Sequence, residues 1–259
     1  MGMVLAAGGW PTWHQLIWVT VAMAAARTMA MSLNRAIDRE IDARNPRTAI
    51  RPIPSGRLNV TKVWVAAGVS AGLLIFAAWQ LNELAVKLLP VAMIILTMYH
   101  YTKRFTWLCH LVLGIADGGA PLGGWLAVTG AIAPPAWLLF IAVTTWVGGF
   151  DLIYACQDVD FDRANGLHSV PVRFGIAKSL WSARISHLIT LLALAGVGFM
   201  LNLGPLYWVG WVAALGLLAY EHSLVSPGDL SKLNVAFFNI NGYIGVIVLG
   251  FTLAAVLVR

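Results

Sequence analysis

Long apolar stretches alternate with short polar connections along almost the whole chain. Stretches near 14–33, 62–81, 84–101, 107–129, 136–155, 180–201, 205–221 and 235–257 are each long enough to cross a bilayer as a helix, since a spanning helix needs about 20 mostly apolar residues. The pattern predicts an all-α, multi-pass integral membrane helical bundle. One earlier apolar piece, Met1 to Trp10, is too short to cross and has no basic residue before it. It reads as the tail of a missing helix rather than as a cleaved signal peptide. Residues 1–259 are therefore expected to form one transmembrane domain that is incomplete at its N-terminus.

Composition supports the bilayer reading, with 59% hydrophobic and only 11% charged residues against a soluble norm of about 45 to 50% apolar. The net charge of +6 is unevenly spread. Arg35, Arg39, Arg44, Arg47, Arg51, Arg57 and Lys62 crowd one connection, Lys103 and Arg104 mark another, Arg163, Arg173 and Lys178 a third, and Lys232 the last. The alternate connections near Asn82, Gly130 and Asn202 offer only Lys87. By the positive-inside rule the basic loops face the cytoplasm. The same end of the bundle holds seven of the eleven carboxylates: Asp38, Glu40, Asp42, Asp151, Asp158, Asp160 and Asp162. A loop that only orients the chain has no use for clustered aspartate, so an ion or phosphate site is expected there. The expected partners are the lipid bilayer and small substrates, with neither nucleic acid nor an obligatory protein partner. Cys109 and Cys156 fall inside predicted spans without a CxxC spacing and read as buried, unpaired thiols.

In Asn34-Arg-Ala-Ile-Asp38-Arg-Glu-Ile-Asp42 the polar positions recur every four residues, so a continuing helix would stack them on one face. Two aligned carboxylates repel unless a cation lies between them. Mg²⁺ typically takes one or two carboxylates and completes its octahedron with water and phosphate oxygens, and Asn34 adds a neutral ligand. Asp151-Leu-Ile-Tyr154-Ala-Cys-Gln-Asp158-Val-Asp-Phe-Asp162 repeats the spacing. Two such clamps, at Asn34, Asp38 and Asp42 and at Asp158 and Asp162, would hold a diphosphate from both sides. Asp38-x-x-x-Asp42-Ala-Arg-Asn45 also resembles Asp158-x-x-x-Asp162-Arg-Ala-Asn165, a faint internal repeat of the kind duplicated membrane halves leave. Arg47, Arg51, Lys103 and Arg104 are the basic partners, as phosphate contacts or as membrane-surface anchors.

Arg27 lies mid-span, two turns before Asn34 on much the same face. A guanidinium there needs an anion, either a substrate carboxylate or a buried acid such as Asp117. Asp117, among glycines and beside Pro121, implies a broken or closely packed helix, and the residue either orients a substrate or serves as a buried structural partner. His100, His110, His187 and His222 show no metal-binding spacing and read as packing or interfacial residues.

Asn34-x-x-x-Asp38-x-x-x-Asp42, followed by Asn45-Pro-Arg-Thr48 and Arg51-Pro-Ile-Pro-Ser-Gly56, resembles the first signature of UbiA-type prenyltransferases. Asp158-x-x-x-Asp162, with Tyr154 before it and Ser169 after it, resembles the second. The resemblance implies a fold of nine helices around a central cavity, Mg²⁺, and transfer of a polyprenyl group from polyprenyl diphosphate to an aromatic acceptor in quinone biosynthesis. It implies that Asp38, Asp42, Asp158 and Asp162, with Asn34, hold Mg²⁺-diphosphate. Lys103, Arg104 and Arg51 would then neutralise phosphate oxygens, and Arg27 would meet an acceptor carboxylate. That acceptor is 4-hydroxybenzoate or a dihydroxynaphthoate. The chain departs from the pattern at Arg35, where many relatives carry Asp, and at His168, where many carry Lys. A transporter is the alternative from another class; aspartates gathered at one face rather than at the midplane argue against it. Another Mg²⁺-dependent lipid-group transferase is the second, although the Asp-Gly-x-x-Ala-Arg element of the CDP-alcohol type is missing at Asp117-Gly118.

Overall fold

The computed structural model describes residues 1–258. Its helices are α1 (Gly2–Ala7), α2 (Trp13–Ile37), α3 (Arg39–Arg44), α4 (Val60–Leu81), α5 (Glu83–Thr102), α6 (Cys109–Thr129), α7 (Pro134–Tyr154), α8 (Val159–Ala164), α9 (Val170–Phe174), α10 (Ile176–Met200), α11 (Pro205–Ser223) and α12 (Asn241–Leu257). A 3-10 turn over Ala155–Asp158 joins α7 to α8, and a π-helical turn over Val235–Ile240 leads into α12. All eight predicted spans are helical. Seven helical segments among the described residues are long and apolar enough to cross a membrane; α11, with 19 residues, is the predicted span outside that set. Large side chains such as Trp79, Leu192 and Val246 point outward, the inside-out distribution that a hydrocarbon solvent permits. The protein is a multi-pass membrane helical bundle.

The chain forms two compact units, one of which is Thr12–Thr102. In that unit α2 begins with a capping box: Thr12 Oγ1 accepts the Gln15 N–H at 3.2 Å, and Gln15 Oε1 accepts the Thr12 N–H at 3.1 Å. Asn59 caps α4 through the Thr61 N–H at 2.7 Å. Buried alanines at 25, 67, 77 and 78 let the helices approach closely around Met29, Leu33 and Leu74. Small residues at such contacts are the membrane solution, because lipid supplies no hydrophobic drive between helices.

The other unit comprises Met1–Pro11 and the chain from Lys103 onward. Here α6 runs unbroken through Pro121, so the glycine-rich stretch around Asp117 is closely packed rather than broken. A Cβ at Gly114 would run into the Thr144 carbonyl oxygen of α7, and one at Gly118 would lie 2.8 Å from the Phe140 carbonyl oxygen. The short α1 lies against α6, with Gly2 on the Pro121 carbonyl.

A buried polar network ties α7, α10, α11 and α12 together. Trp146 Nε1–H donates to Asn241 Oδ1 at 2.7 Å, and Asn241 Nδ2 donates to Glu221 Oε1 at 3.0 Å and to the Ala236 and Phe237 carbonyls at 3.2 and 3.1 Å. Asn241 thereby serves carbonyls that the π-helical turn leaves without regular partners. His187, 3.0 Å from His222, touches the Trp146 carbonyl at 3.3 Å. Replacing Asn241 by leucine strands Glu221 and the Trp146 N–H, so the expected loss is about 2 kcal/mol, read as a lower unfolding midpoint in detergent. An unchanged midpoint would show that the network is not structural.

Candidate active site

The first aspartate motif sits at the end of α2. The expectation of one continuous helix through Asp42 needs correction, since the helix breaks at Asp38 (φ −92°, ψ 6°) and resumes as α3. The four-residue ladder survives the break: the Asp38 N–H reaches the Asn34 carbonyl at 3.0 Å and the Asp42 N–H the Asp38 carbonyl at 2.8 Å. Asn34 Nδ2 donates to Asp38 Oδ2 at 3.2 Å and lies 3.4 Å from Nδ1 of buried His100. Asp42 is only 5% exposed, and both its oxygens accept from Arg51 Nη1, at 2.6 and 2.7 Å. Arg51, expected on a phosphate, thus neutralises Asp42. It can do so because the turns after α3 fold back: buried Thr48 donates to the Asp42 carbonyl at 3.0 Å, and the Asn45 side chain accepts the Arg47 N–H at 3.0 Å.

The second motif has the same construction in the other unit. Asp158 occupies the junction between the α7 extension and α8 with φ −102° and ψ 8°, nearly the backbone conformation of Asp38. Asp162, like Asp42, is the fourth residue of the six-residue helix that follows. It is fully buried, with Lys103 Nζ 2.9 Å from Oδ1. The faint repeat in the sequence is therefore a repeat of local structure: a break at the first Asp, one short helix, and a buried second Asp beside a cation.

Asp162 differs from Asp42 in one respect. Both Asp42 oxygens meet one guanidinium, whereas at Asp162 it is Oδ1 that meets a cation, Lys103, at 2.9 Å, and Oδ2 is buried without a hydrogen bond. Burial works against the Lys103 charge, but Asp162, with Asp158 and Asp151 beyond it, outweighs this and raises the ammonium above its ordinary value. Lys103 stays charged across the physiological range. Among the described residues no three His, Cys, Asp or Glu side chains converge on one point. Mg²⁺ needs only one or two protein carboxylates and leaves its remaining positions to water and phosphate.

Around this motif the structure recruits residues that the sequence reading left as packing. His110 Nδ1–H donates to Asp151 Oδ2 at 2.6 Å, and its Nε2 accepts the Val170 N–H at 3.4 Å, an arrangement that puts the ring proton on Nδ1. The His168 N–H donates to the Lys103 carbonyl at 2.7 Å. The loop after α8 is thereby held to the segment that carries Lys103. No spacing in the sequence signals these pairs, because they join different helices. Tyr154 stacks on Phe237, with centroids 4.0 Å apart and an interplanar angle of 27°. Arg27 is exposed two turns before Asn34, Asp117 is exposed midway along α6, and Arg47 and Arg104 are exposed at helix ends. Asp117 is thus exposed where a buried position was expected.

Comparison with known proteins adds independent findings. A 4-hydroxybenzoate octaprenyltransferase of Paraburkholderia phytofirmans is 32% identical over 250 residues, covering 95% of this chain and 85% of that one. Another of that name from Aliivibrio salmonicida is 31% identical over 243 residues, covering 94% and 85%. The apo structure of a UbiA homolog from Aeropyrum pernix K1 superposes with a TM-score of 0.89 at 28% identity, covering 98% of this chain and 93% of that one. A UbiA homolog from Archaeoglobus fulgidus, solved with GPP and Mg²⁺, shares the fold with a TM-score of 0.73 at 21% identity, covering 98% and 93%. The family model of the UbiA prenyltransferase family matches residues 1–243: this chain belongs to the UbiA prenyltransferase family and is a membrane prenyltransferase.

Proposed function

We propose that the protein transfers a polyprenyl group from polyprenyl diphosphate to the ring of an aromatic carboxylic acid in quinone biosynthesis, with Mg²⁺ and with 4-hydroxybenzoate as acceptor. The observation that carries this reading is the pair of buried acids, Asp42 and Asp162, each at the same position of an equivalent short helix and each beside its own cation. The names of the curated relatives support a one-ring acceptor; none of the similarities above favours a dihydroxynaphthoate. Residues 1–259 would act as one domain, with the basic loops on the cytoplasmic side of a bacterial inner membrane.

Asn34 and Asp38 of the first motif, and Asp158 and Asp162 of the second, would hold the metal and its diphosphate. Asp162 Oδ2, buried and without a hydrogen bond, is the feature that fits a cation. Mg²⁺, when bound, supplies Lewis-acid stabilisation of the leaving diphosphate. Lys103, Arg47 and Arg104 place positive charge where the diphosphate gains negative charge as the allylic C–O bond breaks and both bonding electrons leave with oxygen. The ring carbon of the acceptor then bonds to the allylic carbon, and the ring loses its proton to solvent. Arg27, about 10 Å along the helix from Asn34, would bind the acceptor carboxylate, and Asp117 would orient that acceptor. Tyr154, braced by Phe237, offers a π-face to the allylic carbon as positive charge develops.

The test supplies membranes containing the protein with radiolabelled polyprenyl diphosphate, Mg²⁺ and either 4-hydroxybenzoate or a dihydroxynaphthoate. Label should join 4-hydroxybenzoate in the lipid phase, and EDTA should stop it. Product only from the two-ring acid would overturn the acceptor, and product from neither would overturn the reaction.

A further inference from the structure

Arg35 follows Asn34 on α2 and has no part in the scheme above. Its Nη1 is buried and has no hydrogen-bond partner. The nearby acids are already engaged: both Asp42 oxygens accept from Arg51, and Asp38 accepts the Asn34 amide. Arg35 interacts through space with Asp42 and, as a like charge, with Arg51. Two guanidinium groups therefore surround one carboxylate, which leaves the first motif with a positive surplus beside a buried donor. The second motif is balanced the other way, with Lys103 facing Asp162, Asp158 and Asp151. A buried charged donor without an acceptor is unfavourable and calls for an anion.

We propose that Arg35 donates directly to an oxygen of the donor substrate's diphosphate, without a metal between them. The guanidinium then adds a direct grip on the phosphate beside the cation that the aspartates hold. This rests on the prenyl-transfer reading above. The acceptor carboxylate does not fit the position, because Arg27, eight residues earlier, lies about 12 Å up the helix. A multiply charged anion fits two adjacent guanidiniums as a carboxylate does not.

The experiment measures binding of inorganic pyrophosphate to the full-length detergent-solubilised protein by calorimetry, in EDTA and in Mg²⁺, for the wild type, Arg35→Gln and Arg35→Lys. In EDTA the glutamine variant should bind at least about tenfold more weakly, as loss of a charge-assisted contact predicts, with lysine in between. Its KM for polyprenyl diphosphate should rise while the KM for the acceptor holds. Wild-type affinity in both variants, or no wild-type binding in EDTA, overturns the direct contact. If the glutamine variant does not fold, the lysine variant alone decides by the same criterion. Absence of wild-type binding even with Mg²⁺ would instead bring down the prenyl-transfer reading itself.

Discussion

Asp162→Asn is expected to lower prenyl transfer by about 10³-fold or more while leaving the helical fold intact. A preorganised charge aimed at a leaving group is commonly worth about 10² to 10³ in rate by itself, and Asp162 would act through a metal as well. Its carboxylate is fully buried, with Oδ1 on Lys103 and Oδ2 without a hydrogen bond, so asparagine keeps the shape and removes the charge that would recruit the cation. The fold survives because Lys103 is 38% exposed and can carry its ammonium to solvent on a flexible stem. Alanine at Asp38 or Asp158 should abolish turnover in the same way. The measurement is single-turnover product formation at saturating donor and Mg²⁺, beside far-ultraviolet circular dichroism. Full activity in a folded Asp162→Asn protein would reject the two-motif site, and an unfolded variant would make Asp162 structural.

Gly114→Ala should have the second large effect, on stability. The added methyl would enter the Thr144 carbonyl of α7, and a backbone atom in a packed helix pair cannot step aside. The expected cost is about 3 kcal/mol, seen as a much lower unfolding midpoint in detergent and poor membrane yield. Activity should fall with it, since the α6–α7 contact brings His110 to Asp151 at 2.6 Å and sets the direction in which α7 runs on to Asp158. Gly119→Ala is the control. Nothing lies within 4 Å of a Cβ there, so the change should be neutral or gain a few tenths of a kcal/mol from helix propensity. Equal behaviour of the two variants would remove the packing argument.

The candidate acids were legible in residue order, but not their pairing. The Asp38/Asp42 and Asp158/Asp162 spacings marked them out, because helical periodicity is local. Asp160 and Asp162 show the limit. Their side chains are fully exposed and fully buried respectively, and periodicity says only that they face different ways, not which way is inward. Arg51 was read as a phosphate contact and instead closes on Asp42 nine residues earlier, because the turns around Thr48 fold back. His100 and His110 carried no motif, since their partners, Asn34 and Asp151, lie on other helices.

By itself the sequence determined the spans and the basic, acid-bearing connections between them. Hydrocarbon thickness, backbone hydrogen bonding and the cost of intramembrane charge act on each segment separately, so these features can be read without knowing any neighbour. Only the tertiary structure decided which acids are buried, which cation each one meets, and that Arg35 keeps an unpartnered donor. Those outcomes depend on atoms within 3 to 4 Å contributed by chain segments that only packing brings together, as Lys103 and Asp162 at 2.9 Å show.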